Sequence, residues 1–210
     1  SDHGSNRLGA NSLLQACVDG YFILPYTLAN YLAGEINVPK TDIQDPAFEV
    51  AEQKSRKQLQ DFLTIKGTKT AEEFHKELGR ELYDKCGLSR SKQGLEKAIV
   101  NIRKLREEFK TNLLVPGDIN EVNSELEKAG RVADYMELAE LMCIDALHRE
   151  ESCGAHFREE YQTEDGEAKR DDEHFSYVAA WEWNKEPSNP KLHKEALVFE
   201  FVQPTLRSYK

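Results

Sequence analysis

The chain has 210 residues, 31% charged and 39% hydrophobic, enough for one large or two small domains with buried cores. Its 38 acidic side chains outnumber 28 basic ones, for a formal net charge of −10. That balance argues against an electrostatic grip on nucleic acid or anionic lipid. No apolar run approaches the roughly 20 residues that span a bilayer, so no direct membrane insertion is expected, and no signal peptide is read at the N-terminus.

The chain opens on "SDHGSNRLGANSLLQACVDGYF". Residues 12 to 36 read as a helix with Asn11 or Ser12 as N-cap and Leu13, Leu14, Cys17, Val18, Phe22 and Ile23 as apolar positions. Pro25 should kink it, because it has no N–H to give the preceding turn. Gly4 and Gly9 let another group approach the backbone closely. The helix start directs unpaired N–H groups and the positive end of its dipole at the loop, which favours an anion. Arg7 carries a planar fork suited to a carboxylate. On the residues alone, an ordinary Gly/Asn loop with a surface arginine is the favoured reading, since a lone motif of this kind is weakly specific.

"GEINVPKTDIQDP" reads as the main domain break. Beyond it, Phe48, Ala51, Ser55, Leu59 and Phe62 fall on one helical face. Thr70 and Glu73 form a capping-box pattern, continued by Phe74, Leu78 and Leu82 at spacing four. Leu95, Ala98, Ile99, Ile102, Leu105 and Phe109 make the cleanest stripe in the chain. Pro116-Gly117-Asp118 reads as a turn. A last helix is expected from about Glu121 to Arg149, interrupted at Gly130, with Val132, Tyr135, Met136, Ala139, Met142 and Leu147 inward. "QKSRKQ" and "RKLREE" read as solvated helix surface.

After Glu150 the sequence turns polar and irregular. "SYVAAWEW" alternates Tyr177, Ala179, Trp181 and Trp183, and "EALVFEFV" alternates Leu197, Phe199 and Phe201, which predicts a long-looped hairpin. The fold class is therefore mainly α, a helical bundle of three or four helices with a C-terminal β-hairpin extension.

Few other residues suggest chemistry. The cysteines at 17, 86, 143 and 153 form no CxxC pair and read as reduced, intracellular thiols, with Cys86 and Cys143 as buried apolar side chains. Cys153, His156 and nearby His148 lack a second pair to complete a zinc site, so no metal is expected. His75 and His193 read as surface or satisfied histidines, and Trp181 and Trp183 as hairpin packing.

"HGSNRLGANSL" closely resembles the "HGANRLGxNSL" segment of the flavoprotein subunits of succinate dehydrogenase and fumarate reductase, with Ser5 for the usual alanine. "GAHFREEY" followed by "RDDEHF" resembles that family's "RGAHxR…RDDxxW/F" segment, and the closing "RSY" fits it too. The resemblance implies the C-terminal part of an FAD-dependent oxidoreductase interconverting succinate and fumarate. Electrons would pass to an iron–sulfur subunit and on to quinone at a membrane-anchor subunit, on the cytoplasmic side of a bacterial inner membrane.

By the same resemblance, Arg7 is the catalytic and substrate-binding arginine that holds a dicarboxylate, and the backbone at Gly9 and Ala10 faces the same carboxylate. Ser12 and Leu13 contact the flavin. His3, His156 and Arg158 match the motifs and are expected to be structural, with Glu159 or Asp171 as partners of the latter two. Cys153 stands where many members carry arginine. The family's dinucleotide loop, proton-shuttling arginine and flavin-linking histidine belong to upstream segments, and no GxGxxG occurs in the sequence. The implied organisation is residues 1–36 as the remnant of the flavin-binding domain, 40–150 as the helical domain and 151–210 as the extension. The isolated chain is expected to be inactive, with Arg7 mobile or facing solvent. The alternatives are an L-aspartate oxidase-like flavoenzyme and a non-catalytic helical domain that docks a partner subunit.

Overall fold

The computed structural model describes residues 11–120, 122–184, 189–201, 203 and 205. Two compact units divide between Arg56 and Lys57.

In the first unit, helix α1 (Asn11–Val18) passes through a π turn (Asp19–Ile23) into α2 (Leu24–Leu32) and a 3-10 turn (Ala33–Glu35). The Leu24 N–H donates to the Asp19 carbonyl, five residues back. The expected disturbance at Pro25 thus takes the form of a widened turn just before it, where the proline ring would otherwise meet the carbonyl four residues earlier. Leu14, Tyr21, Phe22, Tyr26 and Tyr31 are all exposed within this unit. Residues 36–45 form turns and irregular backbone, as the Pro/Asp/Gly composition suggested.

Helix α3 (Pro46–Thr64) crosses from one unit to the other. Only its C-terminal half follows the predicted stripe inward: Leu59, Phe62 and Leu63 pack on the core, while Phe48, Ala51 and Ser55 stay exposed. Periodicity marks an apolar face, but a neighbour must be present to cover it.

The second unit is built on α4 (Ala71–Cys86), α5 (Lys92–Asn112) and α6 (Ser124–His148). The capping box forms: Thr70 Oγ1 accepts from the Glu73 N–H, and the Glu73 carboxylate accepts from the Thr70 N–H at 2.8 Å. All six predicted α5 positions are buried. They meet Phe74 and Leu78 of α4 and Val132, Met136, Ala139 and Cys143 of α6. Phe109 lies edge-on to Phe74 at 5.1 Å and to Phe62 at 5.8 Å, which ties α3 to the bundle.

A two-residue parallel pairing of β1 (Lys69–Thr70) with β2 (Leu113–Leu114) holds the start of α4 beside the end of α5, so these helices run antiparallel. Gly67 makes this possible: a Cβ there would lie 2.0 Å from the Asn112 carbonyl carbon. The predicted 116–118 turn is present, with Gly117 at φ +87°.

Helix α6 differs from expectation in two ways. It runs through Gly130 without a break, capped by Asn123, whose Oδ1 accepts from the Leu126 N–H at 3.0 Å. Tyr135 and Met142 do not point inward; with Leu138 they form a second stripe, rotated away from the core. They line a groove against His75, Leu78, Gly79 and Leu82 of α4.

The hairpin pairs β3 (Tyr177–Glu182) with β4 (Lys191–Ala196), antiparallel, with Tyr177 opposite Ala196 and Glu182 opposite Lys191. Alternation in β3 holds: Tyr177, Ala179 and Trp181 are half-buried, and Val178, Ala180 and Glu182 are exposed. The second strand lies upstream of the apolar alternation that predicts it. Its residues are the polar 191–196, and Leu197, Phe199 and Phe201 lie past the paired register. Cross-strand polar pairing selects this register: Glu182 meets His193 at 2.6 Å and Lys191 at 3.4 Å, and Lys194 sits over the Tyr177 ring. The hairpin docks on α6 through Trp181 Nε1 to Asp145 and Trp183 Nε1 to Glu137, both at 2.7 Å.

Candidate functional site

Two segments carry the candidate chemistry, and each is described within its own unit. In the first, α1 (Asn11–Val18) has no acidic residue in its first turn. No acidic side chain of that turn opposes negative charge there. Ser12 is half-buried and Leu13 is 65% exposed. The nearest acid along the helix, Asp19, is engaged by Gln15 Nε2 at 2.8 Å. Arg7 and Ala10, the expected substrate contacts, lie outside the described residues, as does His3.

The second segment, 151–175, folds beneath the C-terminal end of α6. Cys153 and His156 exchange backbone hydrogen bonds at 2.8 and 3.1 Å, making a tight reversal. Arg158, only 1% exposed, runs back under α6. Its Nη1 donates to the carbonyls of Ala146 at 2.9 Å and of Leu147 and Arg149 at 3.3 Å, and its Nε donates to Glu160 at 3.1 Å. The last carbonyls of a helix have no partner within it, and a cation suits that end of the dipole. Arg158 is thus a C-cap delivered by the following segment. Ser152, also buried, fixes it by accepting from the Arg158 N–H at 2.8 Å.

His156 links this cap to the α4–α5 connection. Its Nε2 is 2.8 Å from the Arg149 carbonyl, which only accepts, and its Nδ1 is 2.9 Å from Arg90 Nη1, which only donates. The ring is therefore neutral, with its proton on Nε2. Burial lowers its pKa, helped by the charges of Arg90, Arg158 and Arg149, against the pull of the Arg149 carbonyl. Arg90 also donates through Nε to the carbonyls of Cys86 and Gly87. Backbone bonds from Arg90 to Phe157 and from Glu159 to Arg90 close the junction.

The anticipated structural roles of His156 and Arg158 are what the geometry displays, but the partners differ. Arg158 pairs with Glu160, while Glu159 accepts from the Ser89 hydroxyl at 2.7 Å. Asp171 pairs with His174 at 2.9 Å, which raises the His174 pKa and lowers its own. Glu151, buried, accepts from Arg149 at 2.7 Å and from the Asp171 N–H at 2.9 Å, joining the two halves of the motif.

Sequence reasoning missed one buried group. Glu140 of α6 is 1% exposed and forms ion pairs with Arg103, at 2.7 Å, and with Arg106. "RKLREE" is therefore not simply solvated surface. The available signal was position: Glu140 follows Met136 by four residues, on the inward stripe. Among the described residues, no group of three or more His, Cys, Asp or Glu is placed to hold a metal ion. No described helix is long and apolar enough to cross a membrane.

The sequence family described as "Fumarate reductase flavoprotein C-term" matches residues 75–209. The chain is 30% identical over 211 residues to the fumarate reductase flavoprotein subunit of Helicobacter pylori, covering 99% of this chain and 28% of that protein. It is 30% identical over 161 residues to the succinate dehydrogenase flavoprotein subunit of Bacillus subtilis, covering 77% of this chain and 27% of that one. Among solved structures, a mutant FrdA chain of Escherichia coli quinol fumarate reductase superposes with a TM-score of 0.67 at 21% identity, covering 80% of this chain and 28% of that chain. The Mycobacterium smegmatis Sdh1 complex gives a TM-score of 0.59 at 19% identity, over 80% of this chain and 26% of that one. The chain thus spans less than a third of the length of these relatives.

Proposed function

This chain belongs to the fumarate reductase flavoprotein C-terminal family, and from that premise we propose that it is the C-terminal part of an FAD-dependent subunit interconverting succinate and fumarate. Residues 1–36 would complete the flavin-binding domain, 40–150 form the helical domain and 151–210 the extension. The observation that carries the site is the pairing of "NRLGANSL" with the helix Asn11–Val18, which has no first-turn carboxylate.

The residues present fit a flavin edge: an exposed Leu13 on a helical turn without a carboxylate suits a flat ring that gains negative charge. FAD, when bound, supplies the two-electron redox chemistry. Arg7 would bind and orient one carboxylate of the dicarboxylate through its guanidinium fork, with the backbone at Ala10 facing the same group. Ser12 and Leu13 would hold the flavin edge at the start of α1. The broad apolar exposure of α1 and α2 supports their being elements of a larger flavin-binding body.

Electrons would leave through an iron–sulfur subunit towards quinone at a membrane anchor, which would hold the complex on the cytoplasmic side of a bacterial inner membrane. The chain by itself would be inactive, since this helix edge lacks sites for the adenine and pyrophosphate of the cofactor.

The test is Arg7→Ala in the full-length enzyme. Loss of a charge-assisted bidentate contact should lower kcat/KM by about two to three orders of magnitude, with FAD content unchanged. Normal turnover would remove Arg7 from the mechanism. Stoichiometric FAD on the purified 210-residue chain would overturn its inactivity, and oxidation of L-aspartate in place of succinate would favour an aspartate oxidase.

A further inference from the structure

The second apolar stripe of α6 does not serve the core, and a groove runs along it. Tyr135, Leu138 and Met142 are exposed. Across from them stand His75 and Leu82 of α4, with the buried Leu78 and Ala139 as floor, around a cavity of about 270 Å³. A wider cavity of about 510 Å³ continues the groove past the His75–Tyr135 ring pair, 5.6 Å between centroids, to Ala71 and Val132. The lower-numbered residues of both helices line one cavity and the higher-numbered residues the other, so α4 and α6 run side by side in the same direction. From Lys128 to Met142 the groove is roughly 21 Å long, about four helical turns.

Gly79 keeps this groove open. Glycine is a poor choice inside a helix, and no close approach demands it here: a Cβ at Gly79 would meet nothing within 4 Å beyond its own helix backbone. A side chain there would stand in the groove instead. The charges along the rim leave one sign over. Lys76 pairs with Glu72, Lys128 with Glu125 and Arg131 with Glu127, so each cation beside the wider cavity is matched within its own helix. Asp134 and Glu137 line the outer edge with Leu138. Asp134 has no ion pair among the described residues, and Glu137 spends its hydrogen bond on the neutral indole of Trp183.

We propose that the α4–α6 groove is the docking site for a basic amphipathic helix of another polypeptide. Apolar side chains of that helix enter the two cavities on either side of His75 and Tyr135. A lysine or arginine on its flank meets Asp134 and Glu137, which fixes its register along the groove. Met142 supplies adaptable apolar contact at one end. The net charge of −10 draws a basic partner in from a distance. Nothing in this site rests on the flavin-edge reading.

A synthetic helix of about 18 residues, leucine on one face and lysine on the other, is titrated into the 210-residue chain alongside its glutamate counterpart. The lysine peptide should bind at roughly micromolar concentration, and the glutamate peptide about tenfold or more weaker. Gly79→Trp, which fills the groove, should weaken the lysine peptide about tenfold and leave the thermal midpoint unchanged. Asp134→Lys, which reverses the rim charge, should weaken it in the same direction, and it decides the matter if Gly79→Trp lowers the midpoint. The natural occupant is read with a photo-crosslinking residue in place of Leu138 in the full-length protein, in the cells that produce it. The expected adduct is a peptide of another polypeptide, with apolar residues at three- and four-residue spacing and lysine or arginine beside them. An adduct to a second copy of the same protein, no adduct, equal binding of the two peptides, or binding indifferent to both substitutions would each overturn the proposal.

Discussion

His156 and Arg158 illustrate how a motif legible in sequence acquires its meaning from its partners. "GAHFRE" displays the residues, yet nothing in the string says that Arg158 caps a helix ending ten residues earlier or that Arg90 reaches across from another loop. The consequence is a defined pH response. Both His156 nitrogens are committed in the neutral form, and its folded pKa lies below the ordinary 6.5. Above that value folded and unfolded chains are both neutral and the junction contributes fully. As pH falls through it, the unfolded chain takes up a proton that the folded chain refuses, and stability declines until the folded pKa is reached. Exposed His174, raised by Asp171, acts in the opposite sense: its contribution is present below 6.5 and lost as pH rises. The two are separated by mutation: the urea midpoint of the protein should fall between about pH 7.5 and 5 more steeply than that of His156→Gln. Parallel pH profiles would show that the histidine titrates without strain.

At the scale of elements, the α5–α6 packing rests on an apolar stripe with one charged insertion. Leu95 to Phe109 were readable because six apolar residues at helical spacing have one face to bury. Glu140 was not, because a carboxylate on an inward stripe is tolerated only if cations arrive from elsewhere, here Arg103 and Arg106. Burial lowers the Arg106 pKa, the mark of a cation partly withdrawn from water. Glu140→Ala, which strands that guanidinium, should cost about 3–5 kcal/mol in urea unfolding. Replacing the pair together, Glu140→Leu with Arg106→Met, should recover most of the loss, since the desolvation of both charges is then removed. A double variant as unstable as the single one would show that the triad does more than balance its own charges. The hairpin teaches the converse. Apolar alternation in 197–201 pointed to a strand, but cross-strand pairs to Glu182 and Tyr177 place the strand at 191–196.

Over the whole molecule, the two units differ in how much of their apolar surface they cover. The second has a continuous core through α4, α5 and α6, joined by Phe62 and Leu59 of α3. The first leaves Tyr21, Phe22, Tyr26 and Tyr31 exposed. Core burial is the main source of folding free energy, so the second unit should stand by itself. A chain beginning at Asp45, which keeps α3 whole, should retain the cooperative thermal transition of the 210-residue chain within a few degrees and bind less of a hydrophobic dye. Loss of the transition would mean that residues 1–44 stabilise the bundle.

What the sequence determined by itself was local or motif-bound: helix stripes, the Thr70 capping box, the 116–118 turn, and the two end motifs that mark the family. Each depends on a dozen or fewer consecutive residues, where helical period, cap chemistry and proline or glycine constraints act directly. The tertiary structure alone decided which half of the α3 stripe is covered, that Gly130 leaves α6 unbroken, which residues form β4, and that Glu140 is buried together with Arg103 and Arg106. Those outcomes depend on groups dozens of residues apart in the chain. A local period can place a charge on an inward face, but the cations that make its burial tolerable come from another helix, and no local period encodes them.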